Sequence, residues 1–419
     1  MRPQTGRRVL ISGCGIAGPA LAYWLLRYGF LPTIVERAPQ PRESGYMIDF
    51  WGAGFTVAER MGLLPRLRET GYDIQEVRLV DGSGRRVGGF PGRVFRAALG
   101  DRFVSLPRGD LAKALYDQVA DRAECVFGDS IAAIEPGERD VRVTFEHGAS
   151  RTVDLVIGAD GLHSAVRRLT FGGEDSFERF LGYQVAAFNT PDYPHRDQDI
   201  YVSHSTPGRQ IARYSLRDGR TGLFMVFRDP ERIAEGRRDV AAQKALIRSA
   251  LDGMGWETPD ILRALEQTDD LYFDSVSQIR LQAWSRGRVA LLGDAAFCPS
   301  LVAGEGSSMA MAGAYLLAGE LKAAAGGHRQ AFERFERMFR PLVERKQVAA
   351  EKFADWFAPR TATALTLRNL GSRVMSLPVL GPWMVRRMLR DEIPLPAPAD
   401  AAEQRPASPP LDADQCERG

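Results

Sequence analysis

The run Val9-Leu10-Ile11-Ser12-Gly13-Cys14-Gly15-Ile16-Ala17-Gly18, followed by Thr33-Ile34-Val35-Glu36-Arg37, restricts this chain more than any other feature. An apolar, β-branched run makes a buried parallel strand, and Gly13 allows a tight turn into a helix that spans 16–28 and ends at Gly29. Gly15 has no Cβ, so a phosphate can touch the backbone there, and Gly18 lets helix and strand approach closely. Ile16 and Ala17 open the helix, whose free amides and positive end favour phosphate charge. The second strand delivers Glu36 and Arg37 about 20 residues beyond the turn, where a carboxylate can accept hydrogen bonds from a ribose. A glycine triplet alone marks many ordinary turns. Strand, triplet, helix, strand and acid in this order specify a dinucleotide site on a parallel α/β sheet.

At 419 residues the chain can bury a large core and divide into two lobes. Its 55 basic and 53 acidic residues nearly cancel, which argues against a protein built to grip nucleic acid. Cys14, Cys125, Cys298 and Cys416 show no paired metal-ligand spacing and read as free thiols of a reducing cytoplasm. No uninterrupted apolar stretch reaches about 18 residues, so neither secretion nor stable membrane insertion is expected.

Strand-like runs at 76–80 and 85–90 flank Asp81-Gly82-Ser83-Gly84, a hairpin signal. Helical spacing over 109–121 leads into strand-like segments at 124–127, 131–134, 141–146 and 151–157, which read as one meander. Longer alternating strands at 184–188, 210–216 and 222–227, with helices near 239–252 and 259–266, predict a second lobe on an antiparallel sheet. A β-turn-α unit returns over 288–317, and helical periodicity resumes over 329–356 and, less regularly, 361–389. From Pro394 onward there is little to bury, which predicts a disordered tail.

Two further motifs select the dinucleotide. The strand 153–157 ends in Gly158-Ala159-Asp160-Gly161, and 287–292 ends in Gly293-Asp294-Ala295-Ala296, so each places an aspartate at a strand terminus where ligands of open α/β sheets bind. Asp294 can accept hydrogen bonds from an extended sugar-alcohol chain. Beyond it, Gly304-Glu305-Gly306-Ser307-Ser308 enters a helix rich in small residues, whose amides can face the pyrimidine end of a flavin. A nicotinamide dinucleotide has no use for this second strand-to-helix site.

These three motifs resemble those of the single-component FAD-dependent aromatic hydroxylases and their tetracycline-modifying relatives, over roughly residues 8–320. The resemblance implies an α/β fold: a Rossmann-like FAD-binding domain with a parallel sheet and β-meander, a substrate domain on an antiparallel sheet, and C-terminal helices. The implied divisions are 1–75, 101–177 and 276–345 for the FAD domain and 76–100 with 178–275 for the substrate domain. A helical segment at 346–393 and a tail at 394–419 complete the chain. Glu36 would hold the adenosine ribose, Asp294 the ribityl chain, and Arg108 the ribityl and phosphate region. Arg42 and Asp49, around Gly45-Tyr46-Met47-Ile48, match places beside the flavin ring, and Asp160 would serve both FAD and passing NADPH. Gln184 and Arg213, on strands of the second lobe, and Leu301 and Val302, beside the third motif, are candidate substrate contacts.

The resemblance further implies NADPH or NADH as a transient reductant, since the chain holds one phosphate fingerprint, and O2 as co-substrate. A flavin C4a-hydroperoxide would insert one oxygen, by hydroxylation, epoxidation or Baeyer-Villiger chemistry, into a bulky polycyclic or polyketide-like molecule. The protein would then supply a dry cavity and orientation, as a monomer or homodimer, and no separate nucleophile or metal. The sequence agrees, lacking a Gly-x-Ser-x-Gly elbow and a His-Glu-x-x-His pattern. His163, His204 and Tyr201 read as packing or surface groups. Phe297, Leu301 and Glu305 depart from the family's usual His, Pro and Gln, and the changes at Leu301 and Glu305 motivate one alternative, a non-redox cyclase that keeps FAD as a wall; a flavin-containing protein that sequesters its ligand is a second alternative. The segment 374–389 is interrupted by Pro378, Gly381 and Pro382, so it is expected to dock on the body and shield the site instead of lying on a membrane.

Overall fold

The computed structural model describes residues 6–41, 45–173, 176–231, 239–301, 304–325, 327–389, 393 and 395–399. Its central sheet has the strand order Ser285–Arg286, Val289–Leu291, Leu155–Gly158, Arg8–Ser12, Leu31–Glu36, Glu124–Phe127, and all but the first pairing are parallel. The helices Ala17–Arg27 and Gly306–Ala323 pack against one another beside this sheet, and their small, apolar residues merge into one core with Val9, Ile11, Ile157 and Leu291. Small side chains make this possible, because they let helix and sheet backbones approach to native packing density.

The meander expected over 124–157 is divided. Glu124–Phe127 joins the edge of the parallel sheet, whereas Ile131–Pro136, Val141–Phe145 and Arg151–Val153 form a separate antiparallel sheet. The run 151–157 breaks at Asp154, whose carboxylate accepts the Arg8 amide at 2.7 Å. Leu155–Gly158 then enters the central sheet beside Arg8–Ser12.

The second sheet has the order Tyr272–Ile279, Glu178–Thr190, Thr221–Arg228, Arg209–Ser215, Ile200–Thr206, Glu76–Val80, Arg86–Pro91. The hairpin at 76–91 thus joins strands more than a hundred residues later, through a parallel pairing with Ile200–Thr206. One face is covered by the helices Val240–Leu251 and Thr258–Gln267, through Ile211, Met225, Phe227, Ile247 and Ile261. The opposite face, with Val185, Tyr214 and Phe224, looks toward the central domain. A two-stranded sheet, Met47–Trp51 with Phe103–Pro107, lies between the lobes and has no counterpart in the periodicity reading.

The long helix His328–Phe357 precedes Ala362–Val374 and Leu380–Met388, which pack on Arg86–Pro91 and Arg93–Leu99. Val385 and Met375 bury against Phe90 and Val94, so the segment docks on the body as its interruptions predict. The disordered tail expected from Pro394 does not describe residues 395–399. Leu395 packs on the core, the Pro396 carbonyl accepts from Tyr315 and Arg60, and the Ala399 amide donates to the Tyr28 hydroxyl. Residues 400–419 lie outside the described residues. Among the described residues, no helix is long and apolar enough to cross a membrane.

Candidate active site

The glycine turn is shaped by three different demands. Gly13 has φ +107°, and a Cβ there would stand 2.4 Å from the Ala159 carbonyl oxygen. A Cβ on Gly18 would stand 2.0 Å from the Gly13 oxygen, so Gly18 serves packing behind the turn. At Gly15 a Cβ would meet only the Arg108 guanidinium, at 4.0 Å. The open space therefore lies at Gly15, with a cation across it, which fits a pyrophosphate. Cys14 adds no charge there, because burial, helped by Cys125 and Glu36, pushes its thiol up to about 12.

Glu36 is fixed by two backbone donors, the Cys14 amide at 2.8 Å and the Ala38 amide at 2.9 Å. Its remaining lone pairs are available for ribose hydroxyls. Asp160 takes hydrogen bonds from the Ser12 and Ser164 hydroxyls and the Val166 amide, so it locks the helix Ala165–Phe171 to the end of the first strand while it lines the cleft. Burial raises the Asp294 carboxyl above the ordinary range, against the opposing field of Arg108 and a hydrogen bond from Cys298. The buried hydroxyl of Ser300, a residue held at φ +133°, has no partner among the described residues and lines the same cleft.

This cleft, about 620 Å³, gathers Gly13, Gly15, Ile16, Ala17, Glu36, Arg37, Arg108, Asp160, Asp294, Gly304, Gly306 and Ser307. A separate cavity of about 890 Å³ lies between the second sheet, the Met47–Trp51 strand and the C-terminal helices. Tyr46, Ile48, Leu301 and Gly304 line both spaces, so the two meet at the third motif. Tyr46 stands at the junction, 5.6 Å ring to ring from both Phe224 and Tyr272.

Four expected contacts need correction. Asp49 lines the larger cavity, not the dinucleotide cleft, and accepts the Ser105 hydroxyl; burial raises its carboxyl. Ser308 turns away from the cleft, accepting the Gly54 amide at 2.8 Å and donating to the Trp51 carbonyl at 2.9 Å. It clamps two helices so closely that a Cβ on Gly54 would lie 2.4 Å from its Cα. Gln184 and Arg213 both point to the helix-covered face of the second sheet, away from the cavity. Gln184 donates to the Glu231 carbonyl, and Arg213 pairs with Asp197 at 2.6 Å and Glu257 at 2.9 Å. Alternation along a strand sends every second side chain to the other face, and only the covering helices decide which face is which. Arg42 and Val302 lie outside the described residues.

The same parity separates His204 from Tyr201. His204 is buried under the helices between the Val80 and Met254 carbonyls, whereas Tyr201 lines the cavity and stacks on Tyr214. His163 reaches across the lobes to Asp274, Nε2 to Oδ1 3.0 Å. Glu305 forms an ion pair with Lys346 of the long helix, so this departure from the family pattern brings its own countercharge. Periodicity gave no sign of Lys346, Tyr214 or Arg368, which reach the cavity from elements distant in sequence.

The arrangement defines a dinucleotide cleft that meets a larger, aromatic-walled cavity, and the comparisons with known proteins fit a dinucleotide-binding protein. Residues 7–344 match the family model "FAD binding domain", and the chain belongs to this family of FAD-dependent monooxygenases. It is 36% identical over 349 residues to a flavin-dependent monooxygenase from an unknown prokaryotic organism, covering 83% of this chain and 88% of the relative. It is 30% identical over 416 residues to the FAD-dependent monooxygenase asL4 of Sarocladium schorii, covering 92% and 96%. The crystal structure of tetracycline destructase Tet(51) superposes with a TM-score of 0.80 at 31% identity, covering 94% of this chain and all of that one.

Proposed function

We propose that this protein consumes NAD(P)H and O2 to insert one oxygen atom into a bulky polycyclic, polyketide-like molecule, releasing the second oxygen atom as water. The observation that carries this reading is the junction at Tyr46, Ile48, Leu301 and Gly304, where an aromatic-walled cavity of about 890 Å³ opens onto the dinucleotide cleft. A cavity of that size is within the range of small-molecule sites and suits a ligand of several fused rings. Relatives support the substrate class by analogy, since they include tetracycline destructases and fungal monooxygenases such as asL4.

When bound, FAD supplies the hydride acceptance and oxygen activation, so the chain needs no nucleophile of its own. Gly15 and Arg108 would hold the pyrophosphate, Glu36 the ribose, and Asp294 the ribityl hydroxyls. Gly306 and Ser307 present the start of an eighteen-residue helix to the ring, where its amides favour negative charge. Tyr46, Leu301, Phe224 and Tyr214 exclude water from the reacting face and set the substrate's position. Only one phosphate fingerprint is present, so the nicotinamide docks transiently.

The test is the product mass from FAD-loaded protein given NADPH and a panel of polycyclic phenols. A gain of one oxygen supports the reading. An isomer of unchanged mass, formed without NADPH oxidation, overturns it.

A further inference from the structure

Arg368, on the helix Ala362–Val374, is 7% exposed and lines the larger cavity. Its partners are all neutral. Nε and Nη2 donate to the Asn369 side-chain oxygen at 3.2 and 2.9 Å, and Nη1 reaches Ser205 Oγ, Gln210 Oε1 and the Phe357 carbonyl at 3.2, 3.2 and 3.1 Å. No carboxylate pairs with it among the described residues. The other buried arginines differ: Arg213 is flanked by Asp197 and Glu257, and Arg167 lies in the field of Asp160. Burial, with no neighbouring charge to oppose it, pulls Arg368 down to about 10, which still leaves the guanidinium protonated at neutral pH.

A buried cation lacking a counter-ion is costly, and its burial strengthens the field it exerts on a ligand beside it. The second hydrogen on Nη2 has no acceptor among these partners. Ser203 lies on the same sheet face as Ser205, two residues along the strand. Its hydroxyl is buried, lines the cavity and has no hydrogen-bond partner among the described residues. A free donor on a cation and a free hydroxyl therefore line the same cavity. The path from there to the junction is aromatic: Phe357 packs edge-on to Phe224 at 6.2 Å, and Phe224 lies 5.6 Å from Tyr46.

We propose that Arg368 and Ser203 form a subsite for a carboxylate carried by the polycyclic substrate, which anchors one end of the molecule while its rings extend along Phe357 and Phe224 toward the cleft. A carboxylate supplies the charge the guanidinium lacks and accepts from both free donors. The proposal rests on the reading that the cavity receives the substrate. It adds that Arg368 fixes which end enters first, and so which ring position faces the cleft.

Equilibrium dialysis of FAD-loaded protein against anthraquinone-2-carboxylate and anthraquinone-2-carboxamide tests this without turnover. The wild type is expected to bind the carboxylate about tenfold more tightly, the range for one charge-assisted contact. Arg368→Met should abolish that preference while leaving carboxamide binding within about threefold, and Arg368→Lys should restore part of it. Ser203→Ala should reduce carboxylate affinity alone, which keeps the test decisive if Arg368→Met fails to fold. Equal binding of the two probes, binding of neither, or an equal loss of both in the variants would overturn the proposal. Carboxylate preference in a protein that never oxygenates would instead sink only the monooxygenase reading.

Discussion

Lys346 Nζ lies 2.8 Å from Glu305 Oε1, and this pair joins the long C-terminal helix to the residue that precedes the helix Gly306–Ala323 beside the cleft. Glu305 sits where a carboxylate is favoured by the helix dipole, and Lys346 cancels the charge it would otherwise present to the cleft. Both side chains line the larger cavity and are only 12 and 15% exposed, so solvent screens the pair weakly.

Glu305→Gln is therefore expected to lower stability by about 1–3 kcal/mol, because it leaves the Lys346 ammonium shielded without its carboxylate. Adding Lys346→Met should recover most of that loss. Urea denaturation of Glu305→Gln, Lys346→Met and the double variant checks it, and simple additivity of the two single losses would contradict the coupling.

The glycine turn yields a split outcome. Gly15→Ala has open space and should leave the apoprotein's melting temperature nearly unchanged, yet weaken FAD binding at least about tenfold. Gly18→Ala drives a Cβ into the Gly13 carbonyl and should destabilise the apoprotein itself by about 1–3 kcal/mol. Thermal melts paired with flavin titration separate the two effects, and equal apoprotein damage from both changes would refute the assignment.

Much of this was legible because it is local. The turn Gly13 to Gly18, Glu36 and Asp294 are each fixed by a strand end and the few residues after it, so spacing alone places them. Gln184 and Arg213 were misplaced because strand parity is decided by the helices Val240–Leu251 and Thr258–Gln267, which cover one face of the sheet. The break at Asp154 was hidden because its cause is a bond to Arg8, far away in the chain. Arg368 carries no signal in its own neighbourhood, since its burial arises only when its helix docks beside Arg86–Pro91.

The pH dependence of the apoprotein follows from Asp294. Its carboxyl is raised, chiefly by burial, so the folded state holds its proton more tightly than the unfolded chain does. Stability from this group is fully present below the ordinary carboxyl range and is lost as pH rises toward the raised value. Asp294→Asn removes the buried charge and should raise the apoprotein's melting temperature at about pH 8, with a smaller gain near about pH 5, while weakening FAD binding. A gain that is larger at the lower pH would contradict the sign.

Leu301 touches both spaces, so Leu301→Trp should obstruct the passage while leaving the phosphate and ribose contacts intact. FAD content and reduction by NADPH should stay near wild type, and oxygenated product should fall at least about tenfold, since small misplacements at the reacting end carry such costs. Unchanged product yield would show that substrate does not reach the flavin through this junction.

The most direct test is to supply the FAD-loaded protein with NADPH, a polycyclic phenol and heavy-isotope O2, and to weigh the product. One heavy oxygen atom per product molecule, formed with matching NADPH consumption, is the predicted result. A product without label, or conversion while the flavin stays oxidised, would contradict the account.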